Sequence, residues 1–172
     1  MIELRGERLE ITDDDLASFE MTLPTSLPLD YRRFMLDENG GAPSPNTARY
    51  GHGAFILDYF YPLGGFDLFR TPHMFTELSD LDSVYRKLKK TINIPPHLLP
   101  IANTVDEHIL FLSLQDSEYG TVHAWFNHPD PALFELSAVH RVFSSFTDLC
   151  DSLQSTNITQ HLNPLFDELP NA

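Results

Sequence analysis

Apolar positions along this chain recur with two spacings, and the switch between them marks out the elements. Leu27, Tyr31, Phe34 and Met35 fall at i, i+4, i+7 and i+8, one face of a helix. Pro28 fits the first turn of that helix, where its missing N–H costs nothing. Asn39-Gly40-Gly41 supplies left-handed conformers that stop it. Upstream, Thr12-Asp13-Asp14-Asp15 opens an earlier helix: Thr12 caps it, Asp15 stands at the capping-box position, and the acidic run suits the positive helix end. Leu16 and Phe19 follow, and Leu23-Pro24 closes it. A third helix opens at Ser79-Asp80-Leu81-Asp82, with Leu81, Val84, Tyr85 and Leu88 at i, i+3, i+4 and i+7. Lys87, Lys89 and Lys90 suit its negative end, and Pro95-Pro96 blocks any continuation. A fourth starts at a second capping box, Ser145-Phe146-Thr147-Asp148, and runs through Phe146, Leu149, Cys150 and Leu153.

Between these stretches the pattern becomes strand-like. Residues 54–61 form an aromatic-rich run of strand length, turned by Gly64-Gly65. Residues 66–69 stay open between a short strand and a loop. Residues 98–102 read as a short strand. Residues 107–114 read as a stronger one, with Leu110, Leu112 and Leu114 on one face and Ile109 and Phe111 on the other. Apolar residues on both faces predict a central strand. Residues 115–120 make a polar turn, and 121–126 return as the antiparallel partner. Residues 42–50, rich in Pro, Ser and Asn, read as a loop. Helices flanking antiparallel strands in mixed order predict an α+β fold: a twisted, mainly antiparallel sheet packed against several helices.

Composition sharpens this picture. The 172 residues suit one domain, expected over 1–156, with 157–172 an extension that is either a docked helix or a partly ordered tail. At 42% hydrophobic the chain can bury a sizeable core. Eleven Lys and Arg against 25 Asp and Glu give a net charge of −14. Such a surface repels phosphate backbones and anionic membranes, and favours a basic protein partner. Solubility alone is the plainer account of that charge. One cysteine, Cys150, rules out an internal disulfide and reads as a small buried hydrophobe. No secretory leader and no membrane-length apolar run appears, so a cytoplasmic location is expected.

The sequence is close to silent on catalysis. Eight histidines occur, none in a metalloprotease or paired-cysteine arrangement. His123 and His128 lie five apart and face opposite ways on a strand. Asp106, Glu107 and His108 near His123 are the best metal set available, and a weak one. No nucleophile elbow and no phosphate loop is present. No cofactor or metal is implied, and a binding role is favoured over an enzyme.

The helix that begins at Pro28 and stops at Asn39-Gly40-Gly41 also carries a resemblance. Leu27, Pro28, Tyr31, Phe34, Met35, Asn39, Gly40 and Gly41 match a pattern of Leu-Pro, Tyr, an aromatic–aliphatic pair and Asn-Gly-Gly. Residues 99–102, residues 116–125 ending in Trp125, and residues 143–153 add matching stretches in order. Together they resemble the SUKH superfamily, the group of fungal cell-wall-synthesis regulators and many bacterial immunity proteins. Two departures stand out: residues 103–106 lack the glycines often found before the hairpin, and the chain runs past the usual end. The resemblance implies an α+β interaction domain without catalysis, in which Leu27, Pro28, Tyr31, Phe34, Asn39, Gly40, Gly41 and Trp125 are scaffold. It implies an immunity protein that neutralises a cognate toxin, often a nuclease, or alternatively a regulatory scaffold module with no toxin. With the charge, a basic toxin is the expected partner, with no direct nucleic acid or membrane binding. Acidic and aromatic residues near loops are the candidate contacts: Asp58, Tyr59, Tyr61, Asp67, Asp116, Glu118 and Tyr119. For Tyr59 and Tyr61, sheet core is the plainer reading.

Overall fold

The computed structural model describes residues 3–5, 9–51, 53–64, 80–126 and 136–154. Among these residues, four helices and nine strands run in the order β1 (Glu3–Arg5), α1 (Asp13–Glu20), α2 (Leu29–Glu38), β2 (Ala42–Ser44), β3 (Thr47–Tyr50), β4 (Gly53–Phe60), α3 (Leu81–Thr91), β5 (Leu98–Thr104), β6 (Ile109–Ser113), β7 (Val122–Trp125), β8 (Val139–Phe143), α4 (Phe146–Asp151) and β9 (Leu153–Gln154). Seven strands form one antiparallel sheet in the order β8-β7-β6-β5-β4-β3-β9, and β1 pairs with β2 apart from it. The α+β expectation holds.

Helix starts follow their caps. Thr12 accepts from the Asp15 N–H while the Asp15 carboxylate accepts from the Thr12 N–H, a complete capping box. Asp80 caps α3 through the Ser83 N–H. Ser145 caps α4, but the Asp148 carboxylate takes the Ser144 N–H and hydroxyl, one residue earlier than in a standard box. Pro28 stands at the N-cap of α2, one position before the predicted first turn. Asn39 ends α2 in the left-handed conformation, with φ 47 and ψ 46. Lys89 lies over the Tyr85 ring at 4.9 Å, so ring contact as well as the helix dipole places that lysine.

Three readings are corrected. Residues 42–50 are not a loop: Pro43 sits in the short β1–β2 ladder, and residues 47–50 pair with β4. Proline is tolerated there because a two-strand ladder leaves one side of each strand unpaired. Leu153 is not in the last helix, since α4 stops at Asp151 and Leu153 pairs with Ala48. Strand β8 went unpredicted because its His140 and Arg141 face solvent at the sheet edge. Residues 66–69 and the extension from 157 lie outside the described residues.

The sheet is strongly curled. Five inter-strand steps separate β3 from β8, about 24 Å in a flat sheet. Yet the rings of Tyr50 on β3 and Phe143 on β8 lie 6.4 Å apart, with Phe126 5.7 Å from Phe55 between them. A second aromatic cluster joins helices to the sheet: Phe146 lies 4.9 Å from Tyr31, 4.8 Å from Phe34 and 5.7 Å from Phe60. Each large apolar side chain buried here stabilises by about 1.5–3 kcal/mol. Tyr31 is fully buried, and its hydroxyl has no hydrogen-bond partner among the described residues. Central strand β6 is covered on both faces, as its sequence predicts. Cys150 packs against the core, and burial pushes its thiol up to about 12, so it stays protonated and inert.

After α2 the chain must turn hard against the sheet. Gly40 has φ +81, and a Cβ there would lie 2.7–2.9 Å from backbone atoms of Phe60 and Pro62. Gly51 is also left-handed at φ +46, but a Cβ there would meet nothing within 4 Å among the described residues. Gly51→Ala should therefore cost only about 1–2 kcal/mol of backbone strain. Gly40→Ala should cost more than about 3 kcal/mol or prevent folding, because backbone has to move. Urea unfolding of the two variants measures the difference.

Candidate partner-binding surface

The loop joining β6 to β7 is short, acidic and tightly held. Its 3-10 turn, Asp116–Glu118, is closed by the Glu118 N–H bonding to the Gln115 carbonyl at 2.9 Å. Gly120 donates to Ser113 at 2.8 Å, and Ser113 donates to Thr121 at 2.9 Å, which ties the loop ends together. Gly120 takes φ +81 and lies close enough to α2 that a Cβ would sit 3.6 Å from the Pro28 ring. The Tyr119 hydroxyl donates to the Ser26 carbonyl at 2.8 Å. The loop is thus docked on the turn that enters α2. It presents Asp116, Glu118 and a Tyr119 ring that is 42% exposed. Leu29, one residue beyond Pro28, is 65% exposed. Carboxylates around an exposed aromatic and an aliphatic side chain, on a rigid support, have the composition of an interface anchor with a charged rim.

His123 lies buried beneath this loop on β7. The Thr121 hydroxyl donates its one proton to the Glu118 carbonyl at 2.7 Å. It can therefore only accept from His123, whose Nε2 lies 2.9 Å away, which places the proton of the neutral ring on Nε2. The Glu118 carboxylate is 3.7 Å from the same nitrogen. Burial lowers the His123 pKa; Glu118 opposes this, while Arg141 and His97 add to it.

The family model described as SMI1 / KNR4 family (SUKH-1) matches residues 10–152. The chain belongs to the SMI1 / KNR4 family (SUKH-1). None of the curated proteins compared with the chain matches it. Membership in SUKH-1 makes this a protein-interaction domain of a generally non-enzymatic family. The matched span holds the signature residues, and each has a structural place. Leu27, Tyr31, Asn39, Gly40 and Trp125 are buried, Phe34 is half-buried in the aromatic cluster, and Gly41 pairs with Phe60.

The other candidate contacts of this SUKH-1 domain do not join the loop. Asp58 is exposed on β4, where the Asn103 amide donates to it at 3.3 Å. Tyr59 is half-buried; burial, with Asp58 beside it, pushes its phenol up to about 12. Tyr61 is buried against Tyr59, so its reading as an exposed anchor is corrected to sheet core. Tyr59 pairs with Asn103, whereas the loop springs from Ser113, the partner of Leu98. Five residues of β5 separate the two places, about 17 Å along the strand. Asp67 lies outside the described residues. His108 packs its ring on Phe126 and Phe55, and His123 bonds Thr121, so the best metal set does not converge. Among the described residues no group of three or more His, Cys, Asp or Glu could hold a metal ion. No helix among them is long and apolar enough to cross a membrane.

The sign of the His123 effect on stability follows from its lowered pKa. The folded state binds fewer protons than the unfolded state below the ordinary value of 6.5. The contribution is full above that pH and is lost as pH falls from there to the folded value. His123→Gln should remove this loss. The stability difference between parent and variant, from urea unfolding at about pH 8 and about pH 5, should move in favour of the variant at the lower pH.

Proposed function

We propose that this SUKH-1 domain is an immunity protein that binds and neutralises a cognate basic toxin of nuclease type. The observation that carries this reading is the docked loop at residues 115–120, with Asp116 and Glu118 beside exposed Tyr119 in a chain of net charge −14. A nuclease must present cationic side chains to a phosphate backbone. An acidic surface competes for those same side chains and speeds encounter with them. The Ser26 tether and the backbone bonds hold the loop in one shape before binding, which reduces the entropy lost on association. Tyr119 and Leu29 supply apolar contact, and the two carboxylates supply the charged rim. Asp58 and Tyr59 belong to a separate place on the sheet and are secondary contacts at most. The domain acts in the cytoplasm, where a nuclease meets its substrate.

The test uses the chain as bait in the source cell at low and high salt, followed by production of the captured protein with and without the chain. A basic protein that kills when produced alone, and is tolerated when the chain is co-produced, is expected. Asp116→Asn with Glu118→Gln should weaken the purified complex about tenfold and flatten its salt dependence. Capture of non-toxic cellular proteins instead would replace this reading with a regulatory scaffold module.

A further inference from the structure

All the lysines of the chain, Lys87, Lys89 and Lys90, fall together at the end of α3. Each of these side chains is exposed, while Leu81, Val84 and Tyr85 bury the other side of the helix. Arg86 beside them is paired with Asp82 at 2.8 Å. Lys89 lies over the Tyr85 ring. Lys87 and Lys90 make no ion pair among the described residues. A chain of net charge −14 thus gathers its lysines into one exposed cationic patch.

The helix dipole alone does not call for this patch. Helices α1, α2 and α4 end with no basic residue in their last turn. Like charges three or four positions apart, such as Lys87 and Lys90, also repel and weaken the helix that carries them. The patch lies at the same end of the sheet as the acidic loop. The Tyr85 hydroxyl donates to the Pro96 carbonyl at 2.6 Å. The next residue, His97, accepts from the Leu114 N–H at 2.7 Å, just where the loop begins. A partner footprint of about 800 Å² is wide enough to cover both. The chain itself supplies no good occupant. Outside the described residues its carboxylates stand side by side in sequence only at Asp167-Glu168. A second copy is repelled by its own −14 charge, and in its run Asp13-Asp14-Asp15 the first and last are already engaged by Arg32 and Thr12.

We propose that the end of α3 docks an acidic segment of the partner that the loop at 115–120 meets, a run of Asp or Glu lying across Lys87, Lys89 and Lys90. The identity of that partner rests on the immunity reading; the charge match at α3 does not. The partner surface is then basic opposite the loop and acidic opposite α3. A −14 chain attracts basic proteins in general, and that attraction alone selects none of them. A toxin that places cations opposite α3 is turned away by like charge. One that places carboxylates there is held in a single orientation.

Two-dimensional NMR titration of the full chain tests the patch, with capped hexaglutamate, capped hexalysine and a short oligothymidylate as probes. At about 0.1 M salt, charges more than about 10 Å apart are largely screened, so local charge decides where each probe binds. Hexaglutamate should shift the amides of residues 87–91 in a saturable way, and hexalysine those of 115–119. Lys87→Gln with Lys90→Gln changes exposed side chains only. It should weaken hexaglutamate at least about fivefold without weakening hexalysine. No saturable shift at 87–91, or oligothymidylate bound there as tightly as hexaglutamate, would overturn the acidic-segment contact. So would tighter hexaglutamate binding by Asp167→Asn with Glu168→Gln, which would make the chain's own end the occupant. In the purified complex with the captured protein, the lysine variant should lower affinity about tenfold. A complex weakened by Asp116→Asn with Glu118→Gln but not by the lysine variant would overturn this contact and leave the loop reading standing. A complex weakened only by the lysine variant would support this contact and overturn the loop.

Discussion

One buried side chain, Asn39, ties together three backbone segments that are separate in sequence. It ends α2 in a left-handed conformation that asparagine tolerates better than most residues. From there its amide reaches the backbone of Leu9, 30 residues upstream, and of Leu63, 24 downstream. Gly40 then lets the chain pass against the backbone of Phe60 and Pro62, and Gly41 pairs with Phe60. Helix α2, the exit of β4 and the segment before α1 are thus held by one amide and two glycines. The aromatic cluster of Tyr31, Phe34, Phe60 and Phe146 packs on the frame so fixed.

Most of this frame was legible because it rests on local rules. The helices announced themselves by apolar spacing and by caps at Thr12, Asp80 and Ser145. The central hairpin of β6 and β7 was legible from apolar residues on both faces of residues 109–113. What escaped was short or lay at an edge. Strands β2 and β3 hid in a proline-bearing stretch, because both are short and the two-stranded ladder of β2 tolerates proline. Strand β8 hid behind exposed His140 and Arg141, and β9 is two residues long. None of these carries enough local signal to compete with a loop reading.

The surface was legible only in its chemistry. Asp116, Glu118 and Tyr119 stood out as acidic and aromatic residues in a turn. Their support did not, because Tyr119 is anchored to Ser26 across 93 residues. The same holds for buried His123 under the loop and for exposed Leu29 beside Pro28. Asp58 looked equivalent to Asp116 in sequence, and strand register separates them. Tyr61 looked like its neighbour Tyr59, but only Tyr59 keeps part of its ring at the surface. A scaffold set by a few signature residues, with charge and aromatic content varied on its loops, lets one fold meet different partners.

The contribution of the Asn39 amide can be measured directly. Glycine at position 39 keeps the left-handed backbone and removes only the side chain. Urea unfolding of Asn39→Gly should show a loss of about 3 kcal/mol with an unchanged m-value, since three hydrogen bonds go and buried backbone groups of Leu63 lose their partners. A loss below about 0.5 kcal/mol would show that packing alone holds these segments, and would contradict the account.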